Sequence, residues 1–113
     1  MFGKTRHIHF VGIGGIGMSG MAELLNNLGF KISGSDIAES DRTHYFKSMG
    51  IDINIGHTSN KISESDVLVY SSAVKKENPE IKLAKKNNIP IIRRAELLGE
   101  LLKVKSTSIA VAG

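Results

Sequence analysis

Residues 6–17 read R-H-I-H-F-V-G-I-G-G-I-G, and this stretch decides the fold. Arg6 to about Ile13 has the apolar, β-prone character of a strand. Met18, Met21, Ala22, Leu25 and Leu28 then recur at three- and four-residue steps, which predicts a helix from about Ile16 to Leu28. Between the two, Gly12, Gly14 and Gly17 satisfy G-x-G-x-x-G. A strand before and a helix after give that pattern its meaning. Glycine at the first position makes a tight turn, the second lets backbone approach a pyrophosphate, and the third lets the helix pack close to the strand. The unpaired N–H groups and positive dipole end of the helix then hold the anion. The alternative is a glycine-rich turn without a ligand, but four glycines within six residues destabilise a turn that has no other use for them.

Outward from this unit the pattern keeps alternating, as in a parallel sheet covered by helices. Strands are expected at Lys31–Ser35, Ile51–Ile55, Val67–Tyr70, Pro90–Ile92 and Ser106–Ala112. The V-L-V-Y run at 67–70 has the continuous apolar character of a buried parallel strand. Helices are expected after a cap at Asp41 or Thr43 as far as Met49, from Pro79 to about Asn87, and from Ala95 to Lys103, with a helical turn at Ser63–Ser65. Gly29 and Gly50 stand where left-handed residues end helices. The fold class is therefore α/β, a Rossmann-like parallel sheet of about five strands with helices on both faces.

Composition narrows the function. The 113 residues suit one domain, and 41% hydrophobic with 23% charged residues is ordinary globular usage. With no cysteine, disulfides, thiolate metal sites and cysteine nucleophiles are excluded. No apolar run reaches a membrane span and no apolar h-region follows the basic start, so a cytoplasmic protein with no membrane partner is the expectation. The net charge of +4 comes from residues 75–105, which hold nine bases and four acids. Aromatics are scarce there, so no nucleic-acid partner is expected. That segment reads as a solvated helix face, or as a surface meeting phosphate or another domain.

The switch-point rule places a ligand outside the carboxyl ends of the strands. Those ends offer Gly12, Gly14, Gly15, Ile16 and Gly17, then Ser35 with Asp36, then Gly56 with His57, then Ser71 with Ser72. Asp36 lies nineteen residues after Gly17, near the spacing at which an acid accepts hydrogen bonds from ribose hydroxyls; a turn or cap is its other reading. Ser35 is placed to donate to a phosphate or a base. His57 binds phosphate or caps a turn, and Ser71-Ser72 line the pocket or cap the next helix. His7 and His9 share one strand face and read as partly exposed histidines rather than metal ligands. Met18, Met21 and Met49 read as core. Arg93-Arg94 either anchor a ligand or pair with Glu96 and Glu100. No G-x-S-x-G or G-x-x-x-x-G-K-[ST] occurs, so no catalytic residue and no metal site is assigned.

Taken together, H-F-V-G-I-G-G-I-G-M-S-G-M-A-E-L-L at 9–25, S-G-S-D at 33–36, G-H at 56–57, Y-S-S-A-V at 70–74, N-P-E at 78–80 and R-R-A-E-L-L at 93–98 resemble the N-terminal domain of the Mur ligases, specifically those that join L-alanine to UDP-N-acetylmuramate. The resemblance covers essentially the whole chain. It implies a three-domain, ATP-dependent amide ligase of peptidoglycan synthesis, whose first domain binds UDP-N-acetylmuramate and whose central domain binds ATP and magnesium. It implies that Gly14 to Gly17 hold the diphosphate, that Asp36 and Ser35 meet the uridine, and that Ser71-Ser72 with His57 line the same pocket. It also implies that residues 1–105 form the UDP-binding domain and that 106–113 are the first strand of the ATP-binding domain, with Gly113 as the first glycine of its phosphate loop. The chain is then a piece of a longer protein, inactive by itself, needing no cofactor of its own. Its remaining partners are the central and C-terminal domains and, through an exposed tail strand, a second copy. The glycine loop and Asp36 also suit an NAD-binding domain of a dehydrogenase or an NAD-sensing module, which is the alternative.

Overall fold

The computed structural model describes residues 6–56, 60–71, 74, 78–97 and 99. Five strands run parallel: β1 (His7–Val11), β2 (Lys31–Asp36), β3 (Asp52–Ile55), β4 (Val67–Tyr70) and β5 (Ile91–Arg93), in the order β3-β2-β1-β4-β5. Between them lie α1 (Ile16–Asn27), α2 (Asp41–Ser48), a 3-10 helix at Asn60–Glu64 and α3 (Pro79–Lys86). Residues 94–97 begin a further helix. The expected α/β, Rossmann-like sheet is thus present. The expected strand at 106–112 lies outside the described residues, as does the end of the helix expected to reach Lys103.

One device ends α1, α2 and α3. After α1, the Gly29 and Phe30 N–H groups donate to Asn26 and Leu25; after α2, those of Gly50 and Ile51 donate to Lys47 and Phe46. After α3, Asn88 and Ile89 donate to Lys85 and Ala84. This paired closure requires a left-handed residue. Gly29 (φ +99°), Gly50 (φ +88°) and Asn88 (φ +57°) supply it, asparagine being the side chain that tolerates it best. Each closure turns an apolar residue, Phe30, Ile51 or Ile89, back onto the core ahead of the next strand.

Local chemistry moved some boundaries. β1 stops at Val11 rather than Ile13, because Gly12 turns the chain at φ +78°. The cap of α2 is Ser40, not Asp41 or Thr43; its hydroxyl accepts from the Thr43 N–H at 3.3 Å while Thr43 Oγ1 accepts from the Ser40 N–H at 2.8 Å. This reciprocal arrangement satisfies two helix-start donors at once.

The core lies on both faces of the sheet. On one face Ile8, Phe10, Val67, Val69 and Ile92 meet Met18, Ala22 and Leu25 of α1, Phe46 of α2 and Leu97. On the other, Val11 and Leu68 meet Ile62 of the 3-10 helix and Ile81 and Ala84 of α3. Gly34 lets Ile13 cross β2: a Cβ there would lie 2.5 Å from Ile13 Cδ1. The central position of β1 also corrects the reading of its histidines. His7 and His9 are buried, 4% and 0% exposed, because the strand is paired on both sides and covered by α3 and the 3-10 helix.

Candidate nucleotide-binding site

The register of the sheet assembles the site. Asp36 pairs with Ile55, Ser35 with Val11, Val11 with Tyr70, and Tyr70 with Arg93. The strands therefore end level, and the residues that follow them, Gly56, Gly12, Ser71 and Arg94, line one edge beside Asp36. Neighbours β2 and β4 flank β1 on opposite sides, so the connections leave β1 in opposite directions and open a crevice above it.

The glycine loop is tied to the end of β2. The Gly12 and Ile13 N–H groups both donate to the Ser35 carbonyl, at 2.8 and 3.0 Å, and the Gly15 N–H donates to the Gly12 carbonyl at 3.0 Å. The Gly14 N–H donates to Asp36 Oδ2 at 2.8 Å, and Oδ1 of the same carboxylate accepts from the Ile37 N–H at 2.8 Å. Asp36 is thus an acceptor at the edge of the loop, holding the second motif glycine by its amide. A side chain on Gly14 would displace that carboxylate, because its Cβ would lie 2.6 Å from Asp36 Oδ2.

Helix α1 starts at Gly15 with no side-chain cap and no acidic residue in its first turn. Its first N–H groups have no partners within the helix, so its positive end faces the crevice. Two guanidinium groups add to this field. Arg42 Nη1 donates to the Gly14 carbonyl at 3.3 Å, and a Cβ on Gly17 would lie 2.9 Å from Arg94 Nε. The third motif glycine therefore clears space for a cation rather than for the strand. A cation against the positive end of a helix is unfavourable unless an anion lies between them. The arrangement can hold a diphosphate.

The expected site residues do not all fare alike. Gly12, Gly14, Gly15, Gly17 and Asp36 come together as described, and the backbone of Ile16 begins α1. Ser35 is a correction. Its hydroxyl is buried and donates to Glu80 Oε2 at 2.5 Å, so it is not presented to a ligand; its carbonyl anchors the loop instead. Side chains alternate across a strand, so Ser35 and Asp36 cannot both face the crevice. Ser71 is half-buried; its carbonyl accepts from Val74, whose side chain lies 3.9 Å from a Cβ built on Gly12. Gly56 donates to the Asp36 carbonyl at 2.7 Å. His57 and Ser72 lie outside the described residues.

Arg42 is the residue that sequence reasoning missed as a partner of the loop, while Arg94, read as a ligand anchor or an ion-pair partner, stands against Gly17. The signal for Arg94 was its place directly after a short strand, in the R-R-A-E-L-L block. The expected pairing with Glu96 is replaced by a contact in which the Glu96 carboxylate accepts the Arg93 N–H, at 3.4 Å.

Known proteins carry the same architecture. Residues 7–106 match the family described as Mur ligase family, catalytic domain. The UDP-N-acetylmuramate–L-alanine ligase of Syntrophus aciditrophicus is 54% identical over 110 residues, covering 97% of this chain and 23% of that protein. The crystal structure of the UDP-N-acetylmuramate–alanine ligase of Thermotoga maritima superposes with a TM-score of 0.82 at 39% identity, over 86% of this chain and 23% of that one. The UDP-N-acetylmuramate:L-alanyl-gamma-D-glutamyl-meso-diaminopimelate ligase of Neisseria meningitides gives 0.75 at 28% identity, over 85% and 31%. This chain spans about a quarter of the length of such curated relatives. The family match spans most of the chain, and it decides what the glycine loop and the level strand ends leave open: the chain belongs to the Mur ligase family.

Proposed function

We propose that this domain binds UDP-N-acetylmuramate within a ligase that joins L-alanine to that nucleotide sugar in peptidoglycan synthesis. The observation that carries the reading is the convergence on one crevice of the Gly12–Gly17 loop, the Asp36 carboxylate and the Arg94 guanidinium. In this reading the Gly14 to Gly17 amides and Arg94 take the diphosphate. Asp36 takes uridine hydroxyls on its outward lone pairs, and Ser71, Ser72 and His57 line the remainder of the pocket. The higher identity to alanine ligases than to the Neisseria enzyme supports L-alanine as the amino acid.

The work of this domain is to bind and orient. Charge-assisted contacts at the diphosphate fix the nucleotide, and the muramyl carboxylate then projects away from the sheet edge toward the rest of the protein. ATP and magnesium are assigned to that remainder, where ATP supplies the activation of the carboxylate. Among the described residues no group of three or more His, Asp or Glu is placed for a metal. Residues 1–105 are proposed as the UDP-binding unit and 106–113 as the start of the ATP-binding one. No described helix is long and apolar enough to cross a membrane, and a cytoplasmic location suits an enzyme acting on a soluble nucleotide.

A thermal-shift comparison tests the reading. A ligand at a hundred times its Kd stabilises by about 2.7 kcal/mol. UDP-N-acetylmuramate and UDP are expected to raise the melting temperature, and NADH is not. Stabilisation by NADH alone would return the domain to the dehydrogenase class.

A further inference from the structure

A buried polar chain on the α3 face of the sheet plays no part in the site as described so far. The His7 Nδ1–H donates to the Glu64 carbonyl at 3.1 Å. His7 Nε2 and Ser33 Oγ are 2.7 Å apart, Ser33 Oγ and His9 Nδ1 2.8 Å, and His9 Nε2 and Glu80 Oε1 3.1 Å. The other carboxylate oxygen of Glu80 accepts from Ser35 Oγ at 2.5 Å. His9 and Glu80 are fully buried, and Ser33 and Ser35 are 1% exposed. Four elements are joined by it: the 3-10 helix through the Glu64 carbonyl, β1 through the histidines, β2 through the serines, and α3 through Glu80.

Hydrogen-bond arithmetic makes this chain unusual. The four contacts from the Glu64 carbonyl to Glu80 Oε1 need one hydrogen each. Two neutral imidazoles and one serine hydroxyl supply three, and an ionised carboxylate supplies none. Every contact is satisfied only if the chain holds one proton more. An imidazole is a stronger base than a carboxylate, so the proton belongs on a histidine. Burial favours the neutral form of His7, and Lys31 and His9 beside it act in the same direction, although the Glu64 carbonyl and Asp66 oppose them. His9, directly on the carboxylate, is left as the carrier. The 2.5 Å contact from Ser35 lies in the range of a hydroxyl donating to an ionised oxygen.

The far end of the chain reaches the loop. Ser35, held by Glu80, is the residue whose carbonyl accepts both the Gly12 and Ile13 amides. Its neighbour Asp36 grips Gly14. The end of β2 is therefore fixed from below by Glu80 and fixes the glycine loop above.

We propose that Glu80, paired with a His9 that carries hydrogens on both ring nitrogens, is a positioning residue for the nucleotide site, holding the glycine loop in register through Ser35. This rests on the reading of the loop as the diphosphate site. The proton count does not, and can be measured without any ligand. A pair of this kind is costly to break from one side, because the partner is left buried and unpaired.

Nitrogen-15 histidine spectra of the folded chain test the proton. His9 is expected to carry hydrogens on both ring nitrogens, and His7 on Nδ1 only. Two singly protonated rings would overturn the proposal. Glu80→Gln is the informative variant. Its carboxamide accepts from Ser35 and donates to His9 Nε2, so all contacts are kept with a neutral His9. The double protonation should vanish while UDP affinity, by calorimetry, stays within about twofold of the parent. Glu80→Ala and Ser35→Ala should each weaken UDP by about fivefold. Together they should cost no more than either alone, because both cut one link of a single network. Parental affinity in a folded Glu80→Ala protein, or full additivity in the double variant, would refute the positioning role. Failure of the parent chain to bind UDP would instead count against the functional reading and leave the spectra to decide the proton.

Discussion

Replacing Gly14 by alanine isolates the loop from the fold. Gly14 is not among the glycines at positive φ, so its backbone admits a side chain. The obstacle is local: the new Cβ would lie 2.6 Å from Asp36 Oδ2, where ordinary contact begins at 3.4 Å. The carboxylate must retreat by about 0.8 Å. That movement breaks the 2.8 Å bond from the Gly14 N–H, and the methyl group then covers the amide that a diphosphate would approach. A hydrogen bond to a charged group contributes about 1.5–3 kcal/mol, so UDP should bind about 10- to 150-fold more weakly. Titration calorimetry with UDP reads this, with far-UV circular dichroism to verify the fold. Gly14→Val, which adds two methyl groups at the same point, should abolish detectable binding. A folded Gly14→Ala protein that binds UDP within twofold of the parent would show that this amide is not part of an anion site.

Gly20 is the matched control: it is exposed in α1 and a Cβ there would meet nothing within 4 Å, so Gly20→Ala should leave UDP affinity unchanged and raise stability by about 0.5–1 kcal/mol in urea unfolding. Gly34→Ala should do the reverse, destabilising by about 1–3 kcal/mol, because Ile13 Cδ1 and Cβ would lie 2.5 and 2.8 Å from the new atom. Asp36→Ala should weaken UDP by about 1.5–3 kcal/mol, and a loss under about 0.3 kcal/mol would reduce Asp36 to a turn residue. Acid should lower the stability of the domain in two steps. His7 has its pKa held below 6.5, first by burial, so the unfolded chain takes up that proton first and stability falls as pH drops below 6.5. Asp66 has its pKa held below 3.8 by the Arg6 and His7 N–H groups it accepts, so its contribution is present above that value and lost below it. Urea midpoints from pH 8 to pH 3 should show both falls, and Asp66→Asn should flatten the second while deepening the first, because the Asp66 charge opposes the lowering of the His7 pKa.

The sequence by itself determined the elements, their parallel arrangement and the position of the ligand edge. These rest on local and periodic properties: the stripe from Met18 to Leu28, the V-L-V-Y run, the left-handed stops at Gly29 and Gly50, and a glycine loop between strand and helix. Each is set by residues within a few positions of one another, so the chain order carries the information. What tertiary structure alone decided involves residues far apart in the chain. Glu80 sits 71 residues from His9 and 45 from Ser35, and no periodicity announces a carboxylate that closes a buried chain across four elements. Arg94 reaches Gly17 only because β5 is registered on β4 and β4 on β1. The same cause turned Ser35 away from the crevice and buried His9. Whether a polar side chain faces a ligand or a neighbour depends on which element covers its face of the sheet, and that is settled when the strands pair and α3 packs down on them.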